Sequence, residues 1–201
     1  MRRRTCQVMV VVALALGLVA CKHNPGIIKY STPMTNPQDA PHDTTKQNKQ
    51  AAAQTHTQLA SAYMHEGQLK KAETALRKAL SFDDAYIPAH TMLAILDWHI
   101  KRLQDANKEF RAAIALDPSN GDTNNNYGKF LCEQGKRQEA MRYFKRALAD
   151  PFYKTPARAN TNAGECLLQG NDYAGAASYL HKALELDSKY GAALLAMAEL
   201  D

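Results

Sequence analysis

Between residues 53 and 190, short apolar stripes alternate with polar turns in a pattern that returns about every 34 residues. Four segments fall in register: Leu69–Lys70–Lys71–Ala72, Leu103–Gln104–Asp105–Ala106, Arg137–Gln138–Glu139–Ala140 and Tyr173–Ala174–Gly175–Ala176. Each closing alanine is followed at the same distance by a large apolar residue and a second alanine: Leu76 and Ala79, Phe110 and Ala113, Phe144 and Ala147, Leu180 and Ala183. Steps of three and four place these residues on one face of a helix. Small residues where two helices approach, with large ones filling the gap between repeats, are what close packing of stacked helical pairs demands.

The period predicts an all-α solenoid of the tetratricopeptide type, antiparallel helix pairs wound into a right-handed superhelix. Its repeats are read as 53–86, 87–120, 121–156 and 157–190, the third two residues longer through Asp150–Pro151–Phe152–Tyr153–Lys154–Thr155–Pro156. Pro118 and Pro151 end their helices, since proline lacks the donor that a helix interior needs. Gly67, Gly135 and Gly170 are expected to make the left-handed turns inside the pairs, where the second repeat carries Lys101. Residues 191–201 restart a first helix with Leu194 and Met197 on its apolar side. The array thus has at least four repeats and the start of a fifth. A solenoid end should carry a polar cap, so a shortened version of a longer array is expected.

At the N-terminus Arg2, Arg3 and Arg4 precede an apolar run from Val8 to Leu18, short for a bilayer span and right for a secretory signal. The run ends in Leu18–Val19–Ala20–Cys21, which resembles the bacterial lipobox: residues 1–20 would be removed and Cys21 would carry lipid. The competing reading is an uncleaved signal anchor with an incidental cysteine. Lys22 rather than Asp follows Cys21, which by resemblance to lipoprotein sorting implies the outer membrane. Residues 21–50 then form a tether holding Pro25, Pro33, Pro37 and Pro41, too polar to fold; as a coil it spans roughly 30 Å. Ile27, Ile28 and Tyr30 could alternatively dock on a partner or on the solenoid.

Loss of Arg2, Arg3 and Arg4 with the signal lowers the formal charge from +5 to +2, too little to argue for nucleic acid. Without the signal, the thiols other than Cys21 are Cys132 and Cys166, on first helices of successive repeats. In an oxidising compartment they would pair if the geometry allows, the alternative being two separate buried thiols. His56 with His90, and His65 with His99, recur in phase, yet of the acids and cysteines only Asp97 is in phase with them, so no metal site and no cofactor is expected. No nucleophile paired with a base, glycine-rich phosphate loop or distinctive carboxylate pair stands out, and the chain reads as a non-enzyme without a small-molecule substrate. The rival is a periplasmic hydrolase using His65 or His99 as base.

A binding surface remains. First helices line the groove of such arrays, with positions two, five, nine, twelve and thirteen expected to face it. The candidates are Thr57, Ser61, Met64 and His65; Thr91, Ile95, Trp98 and His99; Asp122, Asn125, Lys129, Cys132 and Glu133; and Thr161, Glu165, Leu168 and Gln169. Trp98, the lone tryptophan, fits an interface or packing under a neighbouring helix. Among them Trp98, Ile95, Asn125, Lys129 and Glu133 are the predicted partner contacts.

Three segments carry a resemblance: Asn124–Asn125–Asn126–Tyr127–Gly128–Lys129–Phe130–Leu131–Cys132, Asp150–Pro151–Phe152–Tyr153–Lys154–Thr155–Pro156–Ala157–Arg158–Ala159, and Asn162–Ala163–Gly164–Glu165–Cys166. They are similar to the type IV pilus biogenesis lipoproteins PilW and PilF, over signal, lipobox and repeats. The resemblance implies a pilotin: a lipid-anchored outer-membrane protein facing the periplasm that helps the pilus secretin reach the membrane and form its ring. Members typically have about six repeats. The alternative role is a lipoprotein scaffold for outer-membrane protein insertion or peptidoglycan synthesis.

Overall fold

The computed structural model describes residues 44–200, and among them nine α-helices follow one another with no strand. They are α1 (Thr44–His65), α2 (Leu69–Phe82), α3 (Ile87–His99), α4 (Leu103–Leu116), α5 (Gly121–Glu133), α6 (Arg137–Ala149), α7 (Pro156–Leu168), α8 (Tyr173–Leu186) and α9 (Gly191–Ala198). Consecutive helices pair as α1–α2, α3–α4, α5–α6 and α7–α8, and α9 begins the next pair. Cys21, expected to carry lipid, the part of the expected tether within residues 21–43, and Ile27, Ile28 and Tyr30 in it lie outside the described residues.

All twelve register residues, from Ala72, Leu76 and Ala79 through Ala176, Leu180 and Ala183, are fully buried. The two-alanine pattern therefore marks where second helices meet their neighbours. The helix opening the array differs from the expectation: residues 44–50, read as tether, form the first turns of α1. Thr44 to Gln50 hold no proline or glycine, so nothing stops the helix from extending back from Ala51.

The first helices of the four complete pairs, α1, α3, α5 and α7, end in the same turn. The amides of Gln68, Arg102, Lys136 and Asp172 reach back to the carbonyls of Tyr63, Asp97, Leu131 and Leu167 at 2.8–3.0 Å, closing the last turn around a left-handed residue. That residue is Gly67, Lys101, Gly135 and Asn171, with φ of 71°, 65°, 73° and 60°. Gly170 was expected in the fourth place. The repeat register in fact points to Asn171, whose short polar side chain tolerates this conformation.

First helices contact the first helices of adjoining repeats along α1, α3, α5, α7 and α9, while α2, α4, α6 and α8 make no such contact with one another. The first helices therefore form the inner wall of the curve and the second helices the outer. In α9, Ala193 and Ala196 are buried, but Leu194, expected on the apolar side, is 49% exposed. Small alanines sit at the close approach to α7 and α8, which turns the leucine outward.

The long third connector is held at Asp150 and at Tyr153. Asp150 accepts from the Gly121 amide at 2.8 Å and from the Phe152 amide at 2.9 Å. Tyr153 folds inward against Gly121, where any β-carbon would meet its ring at 2.6 Å. Phe152 is left almost fully exposed.

Candidate partner-binding groove

The inner wall can be built from three adjoining helices. Trp98, in the last turn of α3, lies half-buried with its ring edge-on to Phe130 of α5, centroids 5.8 Å apart. Its indole Nε1 donates to Glu133 Oε2 at 3.1 Å, so the only tryptophan spans α3 and α5. Ile95, one turn earlier, packs partly against the same core cluster. Lys129 and Glu133, four residues apart on α5, are both exposed and share one face. Farther along, Arg158 Nη2 pairs with Asp122 Oδ1 at 2.8 Å, joining α7 to α5. Burial holds back Arg158 while the neighbouring Tyr153 and the Asp122 charge favour its cationic form, with the net shift upward.

This arrangement offers the Trp98 ring with the Glu133 carboxylate bonded to its edge, the Lys129 ammonium on the same face of α5, and the Asp122–Arg158 pair farther along. It suits a segment that places an apolar side chain beside Trp98 and hydrogen-bonding groups along α5 and α7.

Asn125 does not belong to this surface. It is 1% exposed, and its Oδ1 accepts from Asn162 Nδ2 at 2.9 Å between α5 and α7. The fifth position behaves alike in each repeat, since Thr57, Thr91 and Thr161 are also buried. Thr57 and Thr161 donate to the carbonyls of Ala53 and Ala157, and the Thr91 hydroxyl meets that of Thr123 at 2.9 Å. Beneath the groove these polar side chains bond either across to the adjoining first helix, as Asn125 and Thr91 do, or back to their own backbone, as Thr57 and Thr161 do. Residue type alone read them as solvent-facing.

Cys132, also expected in the groove, is buried too, and Cys166 beside it is 1% exposed. The two residues are bonded in the structure, with Cα atoms 5.8 Å apart and the sulfurs joining α5 to α7. His56 stacks on Phe82 at 5.4 Å, and His90 faces Glu109 at 2.7 Å and the Asp84 carbonyl at 2.8 Å. Neither histidine thus uses its in-phase partner.

At the junction of the first two repeats, Arg102 bridges Asp97 at 2.6 Å and Glu73 at 3.0 Å, and Glu73 also holds Arg77 at 2.8 Å. The bonds from Arg102 and Arg77 hold Glu73 below the usual carboxylate range. Burial pushes Asp97 above it despite Arg102. Asp97, in register with the histidines, is thus taken up by this ion pair.

The fold and its inner wall define a tetratricopeptide-repeat protein, and the tetratricopeptide-repeat family models match residues 53–86, 91–154 and 131–191. The type IV pilus assembly protein PilF of Pseudomonas aeruginosa is 32% identical over 196 residues, covering 98% of this chain and 73% of PilF. The solved structure of P. aeruginosa PilF superposes with a TM-score of 0.73 at 33% identity, over 76% of this chain and 69% of that one. The structure of PilW, described as a widely conserved type IV pilus biogenesis factor, gives a TM-score of 0.71 at 33% identity, over 74% and 68%. The chain belongs to the PilF/PilW family of type IV pilus tetratricopeptide-repeat proteins.

Proposed function

We propose that this chain is an outer-membrane lipoprotein, anchored through Cys21 and facing the periplasm, that binds the type IV pilus secretin and promotes its ring assembly. The observation that carries this reading is the identity with PilF across nearly the whole chain. At most five residues fall outside that match, so the segment around Cys21 lies within it.

The physical logic is transport of an adhesive client. A secretin subunit has unpaired strand edges and apolar surface before its ring closes, and such edges invite wrong pairing. A solenoid groove that covers a segment of that surface, carried on acyl chains, would keep the subunit soluble and deliver it to the membrane. The groove centred on Trp98, Ile95, Lys129 and Glu133 is the surface assigned to this contact, with Asn125 supporting it from below.

The test is complementation of a strain lacking the gene. The wild-type chain should co-purify with secretin and restore twitching motility and secretin multimers in the outer membrane. Cys21→Ser should yield a folded protein that leaves the outer-membrane fraction and restores little of either. Motility without the chain, or full function from Cys21→Ser in the soluble periplasmic fraction, would contradict the proposal.

A further inference from the structure

Among the described residues, nothing covers the N-terminal end of the solenoid. Leu59 on α1 is 41% exposed, whereas the residues 34 and 68 positions later, Leu93 and Tyr127, are 2% and 3% exposed. Tyr63 is likewise half-exposed where Asp97 and Leu131 are buried. In later repeats the preceding helical pair covers this face. Here Leu59, Tyr63 and Ala75 instead floor an open groove of about 610 Å³ between α1 and α2.

The groove is rimmed by cations. Lys70, Lys71, Arg77 and Lys78 line it. Arg77 is paired with Glu73, but no carboxylate among the described residues pairs with Lys70, Lys71 or Lys78. The ammonium of Lys71 lies 5.5 Å from the Tyr63 ring centre and that of Lys78 lies 4.8 Å from the Phe82 ring centre. Both ammoniums thus sit over aromatic rings, so cationic and apolar groups stand side by side here, a pairing that amphipathic side chains make at a membrane boundary.

Charge is also divided along the chain. Residues 44–82 carry six Lys and Arg against two Glu, while residues 83–201 carry fourteen Lys and Arg against sixteen Asp and Glu. The whole positive excess of the repeats sits on the helical pair that follows the N-terminal segment. Between Cys21 and Thr44 lie 22 residues, which even fully extended reach no farther than about 80 Å.

We infer that the α1–α2 end is a membrane-docking face for anionic phospholipid headgroups, which seats the first repeat on the bilayer and presents the inner wall to the periplasm. The inference rests on the anchored reading, because a tethered weak surface acts at high effective concentration. Leu59 and Tyr63 meet the headgroup boundary while Lys70, Lys71 and Lys78 meet phosphates.

The test removes the acyl chains so that the two ideas can fail separately. The chain from residue 21 onward, exported with Cys21→Ser, is floated with vesicles of phosphatidylethanolamine containing one-third phosphatidylglycerol, or of phosphatidylcholine alone. Flotation with the anionic vesicles, weak flotation with phosphatidylcholine and loss at high salt are expected. Lys70→Glu with Lys71→Glu and Lys78→Glu should lower the bound fraction at least about tenfold without changing the circular dichroism melt. Equal binding to both vesicle types, or wild-type binding by the folded triple variant, would overturn the inference. So would absence of binding to the anionic vesicles by the wild-type domain; loss of secretin co-purification in the triple variant would then assign the face to an acidic protein segment. Membrane fractionation of acylated wild type tests the anchor independently.

Discussion

Asn162 donates through Nδ2 to Asn125 Oδ1 at 2.9 Å, a buried contact that holds α7 to α5 directly under the groove. Deleting one partner leaves the other buried and unpaired, which costs more than the bond itself contributes. Asn125→Ala should therefore lower stability by about 1–3 kcal/mol, read from chemical denaturation. A variant as stable as wild type would show that the pair contributes nothing to repeat stacking.

Gly128 faces Phe144, and a β-carbon there would sit 2.8 Å from the ring. Gly128→Ala should cost about 1–3 kcal/mol by overpacking, and Gly128→Leu should prevent folding. Gly67→Ala has nothing within 4 Å of the added carbon, but its φ of 71° imposes backbone strain worth about 1–2 kcal/mol. Thermal melts of the variants check both mechanisms, and an unaffected Gly128→Ala would mean that Phe144 yields without loss.

Cys132 and Cys166 are 34 residues apart, and a bridge closing such a loop stabilises by about 3–4 kcal/mol in the chain-entropy account. Reduction, or Cys132→Ala with Cys166→Ala, should lower the melting temperature of the exported protein. Alkylation and mass spectrometry of periplasmic material should find both thiols blocked. Two free thiols would refute the bridge in the cell.

Glu73 and Asp97 should oppose each other in acid. Glu73 titrates lower folded than unfolded, so its contribution is present at neutral pH and is lost as pH falls below about 4.5. Asp97 titrates higher folded than unfolded, so its buried charge costs stability at neutral pH and the cost is relieved as pH falls. Melting temperatures from neutral pH to about pH 3 should fall less steeply in Glu73→Gln and more steeply in Asp97→Asn than in wild type. Identical slopes in all three proteins would dismiss the Arg102 junction as a source of acid sensitivity.

The repeat boundaries were legible in the sequence because the Ala, large apolar, Ala pattern answers a local steric demand that recurs in every helical pair. Pro118 and Pro151 marked connectors for an equally local reason. What was not legible followed from contacts between helices. Asn125 and Thr161 read as groove residues by type and position, yet their polarity is consumed by a neighbouring helix or by their own backbone. Leu194 read as core, but the closest approach falls on Ala193 and Ala196. The bond from Trp98 to Glu133 joins residues 35 apart, near the repeat length, so register could have suggested it, though not its geometry. The charge division between residues 44–82 and the remainder is countable in the sequence, but the exposure of Leu59 beside those cations is a property of the fold.

The central claim is that the inner wall around Trp98 receives the secretin. Its most direct test is the amount of heat-resistant secretin multimer in outer membranes from cells carrying Trp98→Ala with Lys129→Glu. A buried tryptophan anchor is worth about 2 kcal/mol or more, some thirtyfold in affinity. Multimer should fall severalfold or more while circular dichroism, melting temperature and membrane fractionation of the variant stay those of a folded, anchored protein. Wild-type multimer levels in this folded variant would contradict the account and move the secretin contact away from the inner wall of the second and third repeats.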